Sequence, residues 1–206
     1  MKKIALLVSL SCLSFTMPVF AQTQEDVSKG SWRYSGHVSM VGIDSEVAKQ
    51  EGIEDSAISI GLFADYKKTN WVTSLGLDFI MYDDNEEFSQ TVETVGIFNN
   101  GDISDESSDA SAVQATVATG YEWRYGVNQD IALLLQGGYG HVFSSERTIP
   151  NCTDCRTVDI DVDGGVFAKL MLTKETERWG FSLYAQPYLT GDGLSNSLGF
   201  VFSNKF

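Results

Sequence analysis

Three short patterns in this chain combine residue types that can do chemistry. His37-Val38-Ser39 sets an imidazole and a hydroxyl two positions apart, on one face of an extended segment. A base beside a hydroxyl is the start of a nucleophilic hydrolase site, which also needs a third group to orient the base. The only other histidine is His141. Asp159-Ile-Asp161-Val-Asp163-Gly164 opens like a calcium loop, but the EF-hand pattern then requires a glutamate at position 170, where Leu170 stands. Cys152-Thr-Asp-Cys155 follows Pro150. Zinc would need two more ligands nearby, and a thioredoxin-type motif would need a βαβ setting. Neither is visible, so no metal or cofactor is expected.

The elements that position these residues read as strands. Past the first residues there is no 3.6-residue periodicity of useful length, but alternation recurs through the chain. Trp32, Tyr34, Gly36, Val38 and Met40 alternate with Arg33, Ser35, His37 and Ser39. Seven further runs follow, over 58–66, 71–81, 113–124, 131–141, 158–170, 179–189 and 198–206. The connections alternate in length. Lys67–Asn70, Tyr125–Asp130 and Thr173–Arg178 are short turns. Ile43–Ser56 reads as a loop, and Asp83–Ala110 is the longest connection, with nine acidic residues and no Lys or Arg. Within it, Thr91–Phe98 is expected to form a hairpin arm outside the main set of strands.

One face of each run is apolar; the other is small or polar and carries charges of both signs. The polar-face set is Arg33, Asp65, Asp78, Glu122, Arg124, Asp159, Asp161, Asp163, Lys169 and Lys205, with His37 and Ser39 on the same side. Aromatic residues gather at one end of the apolar faces: Trp32, Tyr34, Tyr66, Trp71, Tyr121, Trp123, Trp179 and Phe206. They include all four tryptophans of the chain. Aromatic rings with a polar edge favour a membrane–water interface. A soluble eight-stranded barrel would turn the apolar faces inward and expose the charged rows; it accounts for neither the tryptophan rim nor the terminal Phe206.

The first 21 residues have the form of a secretory signal peptide: Lys2 and Lys3, an apolar run from Ile4 to Leu13, and Val19-Phe20-Ala21 as a cleavage site. Residues 22–30 read as a short leader and 31–206 as one domain. Without Lys2 and Lys3 the basic residues number 14 − 2 = 12 against 28 acidic ones, a net charge of −16. So acidic a chain offers no basic patch for nucleic acid. Export through an oxidising compartment makes Cys152 and Cys155 a disulfide candidate, closing a ring too small to add much stability.

Eight alternating strands, short turns opposite long connections and a closing strand Leu198–Phe206 ending on Phe resemble the small eight-stranded bacterial outer-membrane β-barrel proteins. The resemblance implies an all-β, antiparallel, up-and-down transmembrane barrel in a Gram-negative outer membrane, porin-like in architecture and monomeric. It implies short periplasmic turns, longer extracellular loops, and outer-membrane lipid and lipopolysaccharide as surroundings. It also implies recognition of Phe206 by the barrel-assembly machinery. The inward charges are expected to pair into a plug, with Asp159 and Asp161 leaving the outer mouth acidic. The function expected is non-enzymatic: a structural or surface-interaction barrel with acidic outer loops. Two alternatives stand beside it: lipid A hydrolysis by His37 and Ser39, since eight-stranded lipid A deacylases use a His-x-Ser pair on a lipid-facing groove, and a narrow channel for small solutes.

Overall fold

The computed structural model describes residues 30–96, 99–149 and 155–204. The expected signal peptide and leader, Cys152, Lys205 and the terminal Phe206 therefore lie outside the described residues, apart from Gly30. In chain order the elements are β1 (Ser31–Ile43), α1 (Ser45–Glu51), β2 (Ile53–Lys68), β3 (Trp71–Asp84), β4 (Ser89–Gly96) and β5 (Asn99–Ser107). They continue with β6 (Asp109–Tyr125), β7 (Ile131–Thr148), β8 (Thr157–Asp159), β9 (Gly165–Glu175), β10 (Trp179–Pro187) and β11 (Leu194–Asn204).

Eight of these strands form a closed antiparallel barrel in the order β1-β2-β3-β6-β7-β9-β10-β11, with β11 returning to β1. Closure leaves no free sheet edge in the wall. Gly36 shows the seam, opposing Phe202 on one side and Leu62 on the other. The connections make the two ends unlike. At the turn end, Thr69-Asn70 joins β2 to β3 with Thr69 in the left-handed region (φ 57). Gly126 (φ 90) and Gln129 (φ 53) shape the β6–β7 turn, and the Thr176 N–H donates to the Trp179 carbonyl between β9 and β10. At the loop end, β4 and β5 pair only with each other, as a hairpin carried by β3 and β6. Strands β6 and β7 run 17 and 18 residues. Since 9–11 tilted residues cross a bilayer, these strands project beyond one on the loop side.

Strand ends run past the alternating runs, β7 by seven residues to Thr148, and two features differ in kind. The connection after β1 contains a helix. Asp44 caps it by accepting from the Glu46 and Val47 N–H groups, and Gly52 ends it in the left-handed region (φ 68) with its N–H on the Ala48 carbonyl. Seven residues are too few to show a periodicity, although the capping residues are the standard ones. The second difference is the run 158–170, expected as one strand with Asp159, Asp161 and Asp163 inward. Only β8 and β9 are regular, and the three aspartates are exposed while Ile160 and Val162 are buried. Gly164 and Gly165 are both buried and swap the alternation, so odd positions face out before them and in after them. A one-residue slip reverses every side chain of a strand. The crossing needs glycine, because a Cβ on Gly165 would lie 1.7 Å from the Thr190 carbonyl oxygen.

Candidate functional site

The barrel interior has two halves. Towards the turn end it is filled by ionised and polar groups joined in one continuous chain. Gln136 Nε2 donates to Ser74 Oγ at 2.8 Å, and Ser74 donates to Asp65. Arg33 on β1 donates through Nε and Nη2 to Asp65 Oδ2 (3.2 and 3.0 Å), and its Nη1 lies 3.8 Å from Glu175 Oε1. Arg124 forks onto both Glu175 oxygens (2.8 and 2.9 Å) and places Nε 2.7 Å from Glu122, which also accepts from Lys67. Arg33, Asp65, Glu122 and Glu175 are all buried. Bidentate, charge-assisted bonds offset part of the desolvation cost of such groups.

The next layer centres on Phe63. His37 stacks on it (centroids 4.1 Å apart, 8° between planes), and Lys169 Nζ lies 3.6 Å from the Phe63 centroid and 4.6 Å from that of Tyr184. His37 Nε2 is 2.6 Å from Asp78 Oδ1, which also accepts from Ser59. Above these, Tyr188 exchanges hydrogen bonds with Gln114 and accepts from Gln186. A gap of about 10 Å³ bordered by Ser39, Ser59, Asp78 and Gln114 is the size of one water molecule.

Towards the loop end the same inward rows turn apolar. Val41, Ile43, Ala57, Ile80, Ala112, Val142, Ile160 and Val162 form one cluster, with Ala48 of α1 in it and Val47 packed against it. This corrects the expected acidic mouth: the aspartates meant to line it face solvent, and aliphatic groups close it. Arg147 ties the cap together. It donates from Nε and Nη2 to Asp84 (2.6 and 2.7 Å) and from Nη2 to the Glu51 carbonyl (3.0 Å). The Asp84 carboxylate raises the Arg147 pKa above its usual value.

Of the residues singled out from the sequence, Arg33, Asp65, Asp78, Glu122, Arg124 and Lys169 face inward, and Lys205 is not described. Sequence reading missed Glu175, placed in a turn, and Lys67, placed in another; both sit on inward positions of strands that run five and two residues past the expected ends. The aromatic residues Trp32, Tyr34, Tyr66, Trp71, Tyr121, Trp123 and Trp179 form an outward rim at the turn end. Its rings contact one another in the pairs Trp32–Tyr66 (5.1 Å), Trp71–Tyr121 (5.9 Å) and Tyr121–Trp123 (5.0 Å). The outer wall above this rim is apolar: Met40, Leu62 and Phe200 are each 66% exposed, and Leu77 is 52% exposed. Cys155 is disulfide-bonded.

His37 and Ser39 are each 5% exposed and face the interior. The His37 ring is held by Asp78, and no hydrogen bond joins it to Ser39. Among the described residues no group of three His, Cys, Asp or Glu side chains is placed to hold a metal ion. No described helix is long and apolar enough to cross a membrane, a statement that does not bear on strands.

A closed eight-stranded antiparallel wall, apolar outside with ion pairs buried in its turn half, is the reverse of a soluble protein. The fold is that of the small outer-membrane β-barrels. It superposes on the crystal structure of Neisserial surface protein A with a TM-score of 0.52 and 7% identity, covering 86% of this chain and 99% of that one. The structure of Ail, the attachment invasion locus protein of Yersinia pestis, in complex with the heparin analogue sucrose octasulfate, matches with a TM-score of 0.47 and 12% identity, covering 86% of this chain and 97% of that one. No family model matches the sequence, and no curated protein matches it.

Proposed function

We propose that the chain is an integral protein of a Gram-negative outer membrane that displays its loop end to the outside and performs no reaction. It would be exported by the signal peptide of residues 1–21 and act as a monomeric structural or surface-interaction barrel. The observation that carries this reading is the inversion of the wall. A row such as Ile58, Ile60 and Leu62, each more than half exposed, is tolerable only against lipid, while Arg33 and Glu175 are buried inside. The short turns and aromatic rim then face the periplasm. The loop end faces outward with Asp83, Glu86, Glu87, Asp109, Asp159, Asp161 and Asp163, and the barrel-assembly machinery would read Phe206.

The hydrolase alternative is disfavoured by burial of His37 and Ser39 behind the wall, away from any lipid surface. The channel alternative is disfavoured by the ionic chain at one end and the apolar cluster at the other. Protease added to intact cells should cut near Thr153 and Ser104 and spare Lys67-Lys68. Lipid A from expressing cells should be unchanged in mass. Protection of both loops, or deacylated lipid A, would refute the reading. Leu77→Arg should weaken folding into phospholipid vesicles by about 2–4 kcal/mol, because it sets a charge in the bilayer.

A further inference from the structure

The lipid-facing wall is not uniform. Near the aromatic rim it holds a groove of about 620 Å³. Its floor is Gly36 on β1 and Ala64 on β2, which are diagonal neighbours: Gly36 opposes Leu62, and Tyr34 opposes Ala64. Phe202 and Tyr34 stand along one side, Leu62 and Leu75 along the other. Trp179 stacks on Phe202 with centroids 4.8 Å apart and backs that wall. A Cβ on Gly36 would meet nothing nearer than 4.0 Å, so the groove exists because this outward position carries no side chain. Below Ala64 the outward row of β2 continues with Tyr66, packed against Trp32, and then Lys68, which is exposed.

We propose that this groove is a binding site for one acyl chain of a phospholipid, with the lipid's phosphate held at Lys68. The inference rests on the membrane reading above and adds a defined ligand to it. The order of features down β2 matches such a molecule. The apolar trough over Gly36 and Ala64 takes the chain, the Trp32–Tyr66 pair takes the glycerol region where amphipathic rings sit, and an ammonium takes the phosphate. The turn end is the periplasmic one, so the lipid comes from the inner leaflet. A second copy of the barrel fits less well, because a cation, the exposed Lys68, stands at the end of the trough, where a second apolar wall would bury it unpaired.

Delipidated wild-type protein in detergent, titrated with palmitoyl-oleoyl-phosphatidylglycerol and read by native mass spectrometry, should take up one lipid before any other. Gly36→Leu fills the trough and should weaken that first adduct roughly tenfold. Lys68→Gln should weaken it by a smaller factor. Gly137→Leu, an equally open outward position on β7, should leave it unchanged. Folding of each variant is checked by its heat-dependent gel shift after insertion into vesicles. Equal titrations for wild type and Gly36→Leu, equal weakening by Gly137→Leu, or a dimer mass lost in Gly36→Leu would overturn the proposal while leaving the membrane reading intact. Failure of the wild type to insert into vesicles would overturn both.

Discussion

The two halves of the barrel interior solve the same packing problem with opposite chemistry. At the turn end, inside the lipid belt, the interior is an ionic chain from Gln136 to Lys67 that crosses β7, β3, β2, β1, β9 and β6. At the loop end it is an aliphatic cluster under α1. The inward row of β1 shows the change along one strand: Arg33, Ser35, His37 and Ser39, then Val41 and Ile43. Within the membrane the outer wall must be apolar, so an apolar interior would leave strands greasy on both faces and give nothing to fix register. Buried ion pairs add little net stability but have few acceptable alternative partners. Towards the loops the outer face gives way, past Phe79 and Met81, to the exposed carboxylates of Asp83 and Asp109, and the ordinary rule of an apolar inside returns. The inside-out pattern therefore holds over the turn half of the barrel and fades towards the loops.

The largest effect should come from the ionic half. Arg33→Ala strands Asp65 beside Glu175 and should cost roughly 3–5 kcal/mol in urea titrations of the vesicle-inserted protein. Replacing the pair together, Arg33→Met with Asp65→Leu, should recover more than half of that loss. If the double variant is as unstable as the single one, the ion pair has a role beyond mutual compensation. In the aliphatic half Ile80→Ala should cost about 2–4 kcal/mol through loss of contacts and a cavity. That loss should not change with salt, and a salt-dependent loss would blur the contrast between the halves.

Two smaller effects sharpen it at the ends. Asp44→Ala removes the cap of α1 and should cost about 1 kcal/mol, read as faster amide exchange in residues 45–51 with the barrel wall unaffected. At the turn end, the hydrogen bond from Lys174 holds the Asp130 carboxyl below its usual pKa. A group with a depressed folded pKa contributes stability that is present above its unfolded pKa and lost as pH falls through the folded one. Asp130→Asn should therefore differ slightly from wild type at neutral pH and converge with it in acid. A difference that grows in acid would contradict the pairing.

Most of the wall was legible in the sequence because a period of two survives wherever lipid and lumen lie on opposite faces. Trp71, Leu75, Leu77 and Phe79 against Val72, Ser74 and Asp78 is such a run, and the structure keeps its faces. Legibility fails where that contrast ends. Met40, Val41 and Ile43 crowd together at the top of β1, so the pattern does not reveal that Val41 and Ile43 turn in. Around Asp159, Asp161 and Asp163 alternation is present, but period alone does not say which face is which, and the Gly164-Gly165 reversal is fixed by the Thr190 backbone in space. Glu175 escaped because the strand runs on past the point where its outward residues cease to be apolar. The ion pairs themselves join residues up to 142 positions apart, as Arg33 and Glu175 are, and only the closed register brings them together.

The two halves together fill the lumen, and conductance across a planar lipid bilayer reads whether they close it. The wild-type protein, inserted at neutral pH, should show no stable single-channel current, because the ionic chain and the aliphatic cluster each block the bore of a barrel whose eight strands leave room only for side chains. A large, steady ohmic conductance from the wild-type protein would mean that the lumen is open and the barrel a channel.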